Sequence, residues 1–169
     1  MRSQEERGGM NVFVALNRAA GQTVCEQVRE SLDSHLRSSR MSYKIHETQK
    51  GENLGEIVRD AMRQGFDIAV AAGGDGTVSA VIDGIAGSPV PLGIVPAGTG
   101  NLIARELSIP EEIDDAVRLI AGTPQSRKID VMKIGCRVFV LNASIGVSAA
   151  VISDTTRKSK KYLGRIGYF

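Results

Sequence analysis

The chain has 169 residues, 21 Lys plus Arg against 19 Asp plus Glu, and 42% hydrophobic residues, a length that suits one domain with a core needing no disulfide or metal staple. A net charge of +2, 4% aromatics and no Trp offer no basic, base-stacking surface, which argues against nucleic acid as a partner. Cys25 and Cys136 lie far apart and form no CxxC pair, so both are expected as buried thiols of a reducing, cytoplasmic protein. No apolar run approaches the roughly 20 residues of a membrane span. Met1 to Gly9 is charged without an apolar core, unlike a signal peptide.

In chain order, Val12–Leu16 is a continuous apolar run and predicts a strand buried on both faces. It ends in a polar, glycine-bearing turn, Asn17-Arg18-Ala19-Ala20-Gly21. Val24, Val28, Leu32 and Leu36 give a helix stripe, and Met41–Glu47 a weaker strand. Leu54, Ile57, Val58, Ala61 and Met62 follow the spacing of an amphipathic helix. Ile68–Ala72 and Leu92–Val95 are further buried strands, with a helix over Val78–Ala86 between them. Ser108 and Glu111 have capping-box spacing, so a helix is expected to start near Ser108, bury Ile113, Ala116, Val117 and Ile120, and stop at Gly122-Thr123-Pro124.

Repeated strand–helix–strand units imply an α/β fold: an open, mostly parallel sheet flanked by helices, with right-handed crossovers. From Lys128 the texture changes. Ile129–Ile134 and Val138–Asn142 flank Gly135-Cys136-Arg137 as a hairpin. An α/β domain is therefore expected over residues 10–125, and a strand pair with the start of a β-rich second domain over 126–169. Tyr162–Phe169 opens a new apolar pattern where the sequence stops, so a truncated second domain is expected.

The chemistry concentrates in two loops. Gly73-Gly74-Asp75-Gly76-Thr77 follows a strand and precedes a helix, where bare backbone N–H groups and a helix N-terminus suit a phosphate. Asp75 repels such an anion unless Mg²⁺ intervenes, directly or through water, or unless it orients a reacting hydroxyl. The plainer reading is a tight turn with glycine at positive φ and Asp75 as a helix cap. No GxxxxGK[ST] loop is present, and Gly74-Asp75-Gly76-Thr77-Val78-Ser79 lacks the third glycine of GxGxxG. The second loop, Pro96-Ala97-Gly98-Thr99-Gly100-Asn101, is another strand-to-helix turn, with Asn101 as a candidate cap. In a parallel sheet both loops fall on the carboxyl edge, where open α/β folds bind ligands.

These motifs resemble the diacylglycerol kinase catalytic domain family, which includes sphingosine, ceramide and bacterial lipid kinases. The resemblance is carried by Gly73–Thr77, the run Leu92-Gly93-Ile94-Val95-Pro96-Ala97-Gly98-Thr99-Gly100-Asn101, Ala104-Arg105 and Ile109-Pro110, then Arg127-Lys128-Ile129-Asp130 and Asn142-Ala143-Ser144-Ile145-Gly146. It extends from Asn11 to Phe169, and the second loop favours lipid kinases over NAD kinases. The resemblance implies ATP and Mg²⁺ as cofactors and a lipid hydroxyl, diacylglycerol first and sphingoid lipids second, as acceptor. Gly73, Gly74, Asp75, Gly76 and Thr77 would hold phosphates, with Asp75 organising Mg²⁺ and the transferring phosphoryl group. Gly98, Thr99, Asn101, Asn17 and Thr48 would line the nucleotide pocket. In the family a second, β-rich domain supplies the general base, and no stretch here matches it. Negligible lipid turnover is therefore expected of these residues alone, and a nucleotide-binding module without turnover is the competing class.

The chain departs from the family pattern at Arg18, where Pro is common, at Ser79-Ala80 in place of Asn-Glu, and at Leu102 in place of Asp. His35 and His46 have no metal-spaced partners and are expected as exposed or helix-edge residues. Arg157, Lys158, Lys160, Lys161 and Arg165 form a basic cluster, either solvated or facing anionic lipid headgroups. The resulting expectation is a cytoplasmic protein working peripherally at a membrane surface, with a homodimer through an exposed apolar face.

Overall fold

The computed structural model describes residues 9–122, 126–134 and 137–140. Four parallel strands form one sheet: β1 (Asn11–Leu16), β2 (Ser42–Glu47), β3 (Ile68–Gly73) and β4 (Leu92–Pro96), in the order β2-β1-β3-β4. Helices α1 (Gln22–Ser38), α2 (Leu54–Arg63) and α3 (Asp75–Ile85) make the crossovers. The short α4 (Leu102–Glu106) and then α5 (Ile113–Ala121) follow β4. The open parallel α/β fold expected from the sequence is present.

Alternation along the central strands sends side chains to two layers. Phe13, Ala15, Ala69, Ala71 and Ile94 meet α2 and α3 on one face. Val12, Val14, Leu16, Val70, Ala72 and Val95 meet α1 and α5 on the other. β1 and β3 are flanked on both sides, which explains their unbroken apolar runs.

Several boundaries differ from those expected. The helix after β3 begins at Asp75, not Val78, because a first turn of Asp, Gly and Thr carries no apolar periodicity. The helix expected from Ser108 begins at Ile113, with Glu112 as an extended N-cap. Ser108 sits at φ +56°, outside any helix start. Pro110 biases Ile109 away from helical backbone, and Glu111 pairs with Arg105 at 2.8 Å instead of capping. In the antiparallel strand pair, β5 (Met132–Ile134) starts later than the expected Ile129, and β6 (Arg137–Phe139) starts at Arg137, which was expected in the turn; residues 141 and 142 lie outside the described residues. Val138 donates its N–H to Asp83 Oδ1 at 3.2 Å, which fastens β6 to α3. Cys136, Asn142–Gly146 and the basic cluster at 157–165 lie outside the described residues.

Asp114 joins α5 to α1. Its carboxylate accepts from His35 Nε2 at 2.8 Å, Ser31 Oγ at 3.0 Å and Arg118 at 2.6 Å. The hydrogen bond from His35, then those from Ser31 and Arg118, hold its carboxyl below the usual carboxylate range. A depressed folded pKa contributes stability above the ordinary value of about 4, and that contribution is lost as pH falls through the folded value. Asp114→Asn is therefore expected to be less stable at pH 7 and to lose stability less steeply below pH about 4. Denaturant midpoints at pH 7, 4 and 3 check this; parallel curves for both proteins would contradict it.

Candidate functional site

The strand order reverses between β1 and β3, because β1 leads outward to β2 while the chain then crosses back to β3. Ligands of open α/β sheets bind in the crevice at this reversal, outside the strands' carboxyl ends. Asn17, Thr48, Gly74 and Ala97 directly follow the four strands, so the predicted residues converge on that edge. Asn17 N–H still bonds Ala72 O at 2.9 Å and continues the β1–β3 ladder. Its amide oxygen accepts from Ala19 N–H at 3.0 Å and from the Thr48 hydroxyl at 3.4 Å. The NH₂ group of Asn17 then supplies donors suited to phosphate or ribose oxygens.

The two glycine loops touch through their backbones. Gly73 stands opposite Pro96 in the β3–β4 register, which brings the following residues face to face. A Cβ on Gly98 would overlap Gly74 Cα and come within 3.0 Å of Gly74 N. A Cβ on Gly74 would meet Gly98 Cα at 3.3 Å. Gly74 has φ −89°, so the reading of positive φ in this turn is corrected: glycine is required for close approach, not for conformation. Gly73 and Thr77 are buried against each other and shape the turn. The backbone from Gly74 to Gly76 is more open, and Gly76 is exposed.

That open stretch is the start of α3. Gly74, the N-cap, offers no side-chain cap, so the helix presents first-turn N–H groups and the positive end of its dipole. A Cβ on Gly76 would meet no protein atom within 4 Å. The protein itself does not need glycine there, and alanine in a helix is favoured by about 0.4–1 kcal/mol. Gly76→Ala is thus expected to raise the melting temperature slightly while weakening the binding of a phosphate ligand seated over the turn. Calorimetry with ATP, beside a thermal melt, checks both halves; a stabilised protein with unchanged affinity would contradict that seat.

Asp75 does not cap its own helix. Its Oδ1 accepts the N–H of Ile103 at 2.9 Å, which fastens the start of α4 to the start of α3. Oδ2 lies toward Gly100, where a Cβ would approach it to 3.3 Å. Arg105 is held more firmly protonated by Glu111 first and also by the Asp75 charge. Among the described residues no group of three or more His, Cys, Asp or Glu gathers as a metal cage. Asp75 fits the other mode of Mg²⁺ binding, one or two carboxylates plus phosphate oxygens and water.

Asn101 is not a side-chain cap either. At φ +50° it folds back on its own loop, accepting from Gly98 N–H and donating to Gly98 O, each at 3.0 Å. It fixes the loop's shape, and Thr99 stands exposed on its rim. From here a groove of about 1600 Å³ runs toward the α1–α5 seam, and Asn17, Gly74, Gly98, Thr99 and Asn101 all line it. Thr48, Gly73, Asp75, Gly76 and Thr77 stand outside its walls; Thr48 reaches it only through Asn17.

Three features of the site have no sequence signal: the Gly74–Gly98 contact, the Asp75–Ile103 bond and the acidic far wall of Glu30, Glu111, Glu112 and Asp114. Other expectations are corrected. Cys25 is half-buried, with Sγ 3.8 Å from Asn17 O, not fully enclosed. His35 is a helix-edge residue as expected, whereas His46 is half-buried on a strand and bonded to Glu52.

Residues 11–134 match the diacylglycerol kinase catalytic domain, and the chain belongs to that family. It is 37% identical over 123 residues to a diacylglycerol kinase of Staphylococcus saprophyticus, covering 70% of this chain and 40% of that protein. A diacylglycerol kinase of Staphylococcus aureus is 33% identical over 146 residues, covering 83% and 46%. A diacylglycerol kinase structure from Bacillus anthracis superposes with a TM-score of 0.66 at 25% identity, over 76% of this chain and 49% of that one. A second structure from that organism gives 0.69 at 25% identity, over 94% and 54%. The chain thus spans about half the length of these relatives. No described helix is long and apolar enough to cross a membrane.

Proposed function

We propose that the chain carries the nucleotide-binding half of a lipid kinase that transfers the γ-phosphoryl group of ATP to a lipid hydroxyl, diacylglycerol first. One observation carries this reading: two glycine loops, after β3 and β4, in backbone contact at the sheet's carboxyl edge, with the uncapped start of α3 between them and the reversal point beside β3. Bare N–H groups on a helix dipole favour a polyanion there. Bound ATP with Mg²⁺ supplies the electrophilic phosphorus and the leaving group.

The chain's own residues bind and orient. Backbone N–H groups from Gly74 to Gly76 take phosphate oxygens, and Asn17 with Thr48 fixes the nucleotide laterally. Asp75 is held through one oxygen by Ile103, so its other oxygen is aimed rather than free to rotate, as a Mg²⁺ ligand or water-mediated contact requires. The acceptor hydroxyl must then approach in line with the γ-phosphorus, and catalysis is mostly positioning and charge neutralisation. The group that takes the hydroxyl proton is assigned to the relatives' remaining length.

The test is transfer of labelled phosphate from ATP to diacylglycerol in mixed micelles, by a protein containing these residues and the rest of the family's length. Labelled phosphatidate is the expected product. ATP binding without transfer to diacylglycerol or a sphingoid base would leave the binding-module reading in its place. Transfer to NAD instead would overturn the lipid assignment.

A further inference from the structure

Among the described residues, a half-buried histidine–carboxylate hydrogen bond spans the connection from β2 to α2. His46 Nε2 lies 3.0 and 3.1 Å from the two carboxylate oxygens of Glu52, and the side chains are 25% and 16% exposed. The imidazole also stacks on Phe13, with centroids 6.2 Å apart and planes 18° apart, and Phe66 packs edge-on against Phe13. The pair ties a strand residue to one six positions later. Thr48 lies inside that closed loop.

Thr48 has few anchors of its own. Its N–H bonds Leu16 O at 2.9 Å, and its hydroxyl reaches Asn17 Oδ1 at 3.4 Å, long for an O–H···O bond. After it, Gln49 and Lys50 are exposed and Gly51 turns the chain at φ +88°, before Asn53 caps α2. Between Thr48 and the Asn53 cap, the return of Glu52 to His46 is the side-chain contact that closes the loop. A single half-buried hydrogen bond adds little net stability, because each partner gives up water to make it. It is a good way to select one loop conformation.

We propose that Glu52, acting through His46, is a positioning residue: the pair holds the β2–α2 loop so that the Thr48 hydroxyl stays beside Asn17 at the nucleotide site. The inference rests on the reading above, in which Asn17 and Thr48 face ATP. It adds residues that lie outside the groove.

The experiment is a double-mutant cycle on the 169-residue chain, with Mg-ATP affinity read by calorimetry and each fold checked by thermal melting. Thr48→Ala and Glu52→Ala are each expected to weaken ATP about tenfold, and the double variant no further, a coupling within the range found for contacting residues in one network. Glu52→Gln keeps an acceptor for His46 and is expected to recover most of the affinity lost in Glu52→Ala. His46→Phe keeps the stack on Phe13 while losing the bond, and it replaces Glu52→Ala in the cycle if that variant melts too low.

Suppose Thr48→Ala weakens binding. Wild-type affinity in the variant lacking the His46–Glu52 bond then overturns the proposal, as does a double variant weakened by the product of the single effects. Wild-type affinity in Thr48→Ala, or no ATP binding by the unmodified chain, fails the nucleotide reading itself and takes the inference with it.

Discussion

Gly98→Val is expected to separate the two loops and remove most nucleotide affinity. Even the first carbon of a side chain at this position overlaps Gly74 Cα and crowds Asn101 Oδ1 at 2.9 Å, and a branched one adds to both. The atoms it meets are backbone and a side chain already bonded twice to Gly98, so neither yields cheaply. Overpacking of this kind costs about 1–3 kcal/mol, equivalent to roughly 5- to 150-fold if it falls on binding. The loss should be graded, with Gly98→Ala intermediate. Calorimetric titration of ATP, with amide spectra to establish that the sheet is intact, reads the effect. A folded Gly98→Val protein with undiminished affinity would mean that contact between the loops does not build the site.

Asp75→Asn is expected to lower phosphoryl transfer by about 10²–10⁴-fold in the catalytically complete protein, the usual cost of losing an essential metal-organising or orienting group. The structure makes asparagine the informative replacement. Its side-chain oxygen can still accept from Ile103 N–H, so α4 stays in place and only the charge is removed. Asp75→Ala would instead leave a buried backbone donor without its partner, at about 1 kcal/mol or more, and mix stability with chemistry. The loss in Asp75→Asn should be accompanied by a changed Mg²⁺ dependence. Full turnover with unaltered Mg²⁺ dependence would remove Asp75 from the chemistry and leave it as the fastener between α3 and α4.

The sheet was largely legible because β1 and β3 are buried on both faces, so their apolar runs stand out from the polar turns around them. The helix stripes of α1 and α2 were legible for the complementary reason, one wet face and one dry. Local signals failed where a longer-range constraint won. Ser108 and Glu111 have the spacing of a capping box, yet Ser108 takes positive φ ahead of Pro110 and Glu111 is claimed by Arg105. The first turn of α3 has no signature in the sequence, because Asp75, Gly76 and Thr77 carry no apolar period.

At the site, the sequence pattern located the loops on one edge without revealing how they meet. The Gly74–Gly98 contact depends on the register of Gly73 against Pro96, which no pattern of side chains encodes when both partners are glycine. The role of Asp75 toward Ile103 was hidden for a similar reason: its partner is a backbone N–H 28 residues away. His46 and Glu52 sit on different sides of a turn, one on β2 and one ahead of α2, so no single-element periodicity pairs them.

Mapping Mg-ATP onto the backbone by amide chemical shifts of the isotopically labelled 169-residue chain tests the central claim most directly. The account predicts the largest perturbations at Gly74, Asp75 and Gly76, with smaller ones at Asn17, Thr48 and Gly98–Asn101, and little change at the opposite edge around Met41 and Asp67. Perturbations confined to the far end of the groove near Glu30 and Glu112, with the amides from Gly74 to Gly76 unmoved, would contradict it.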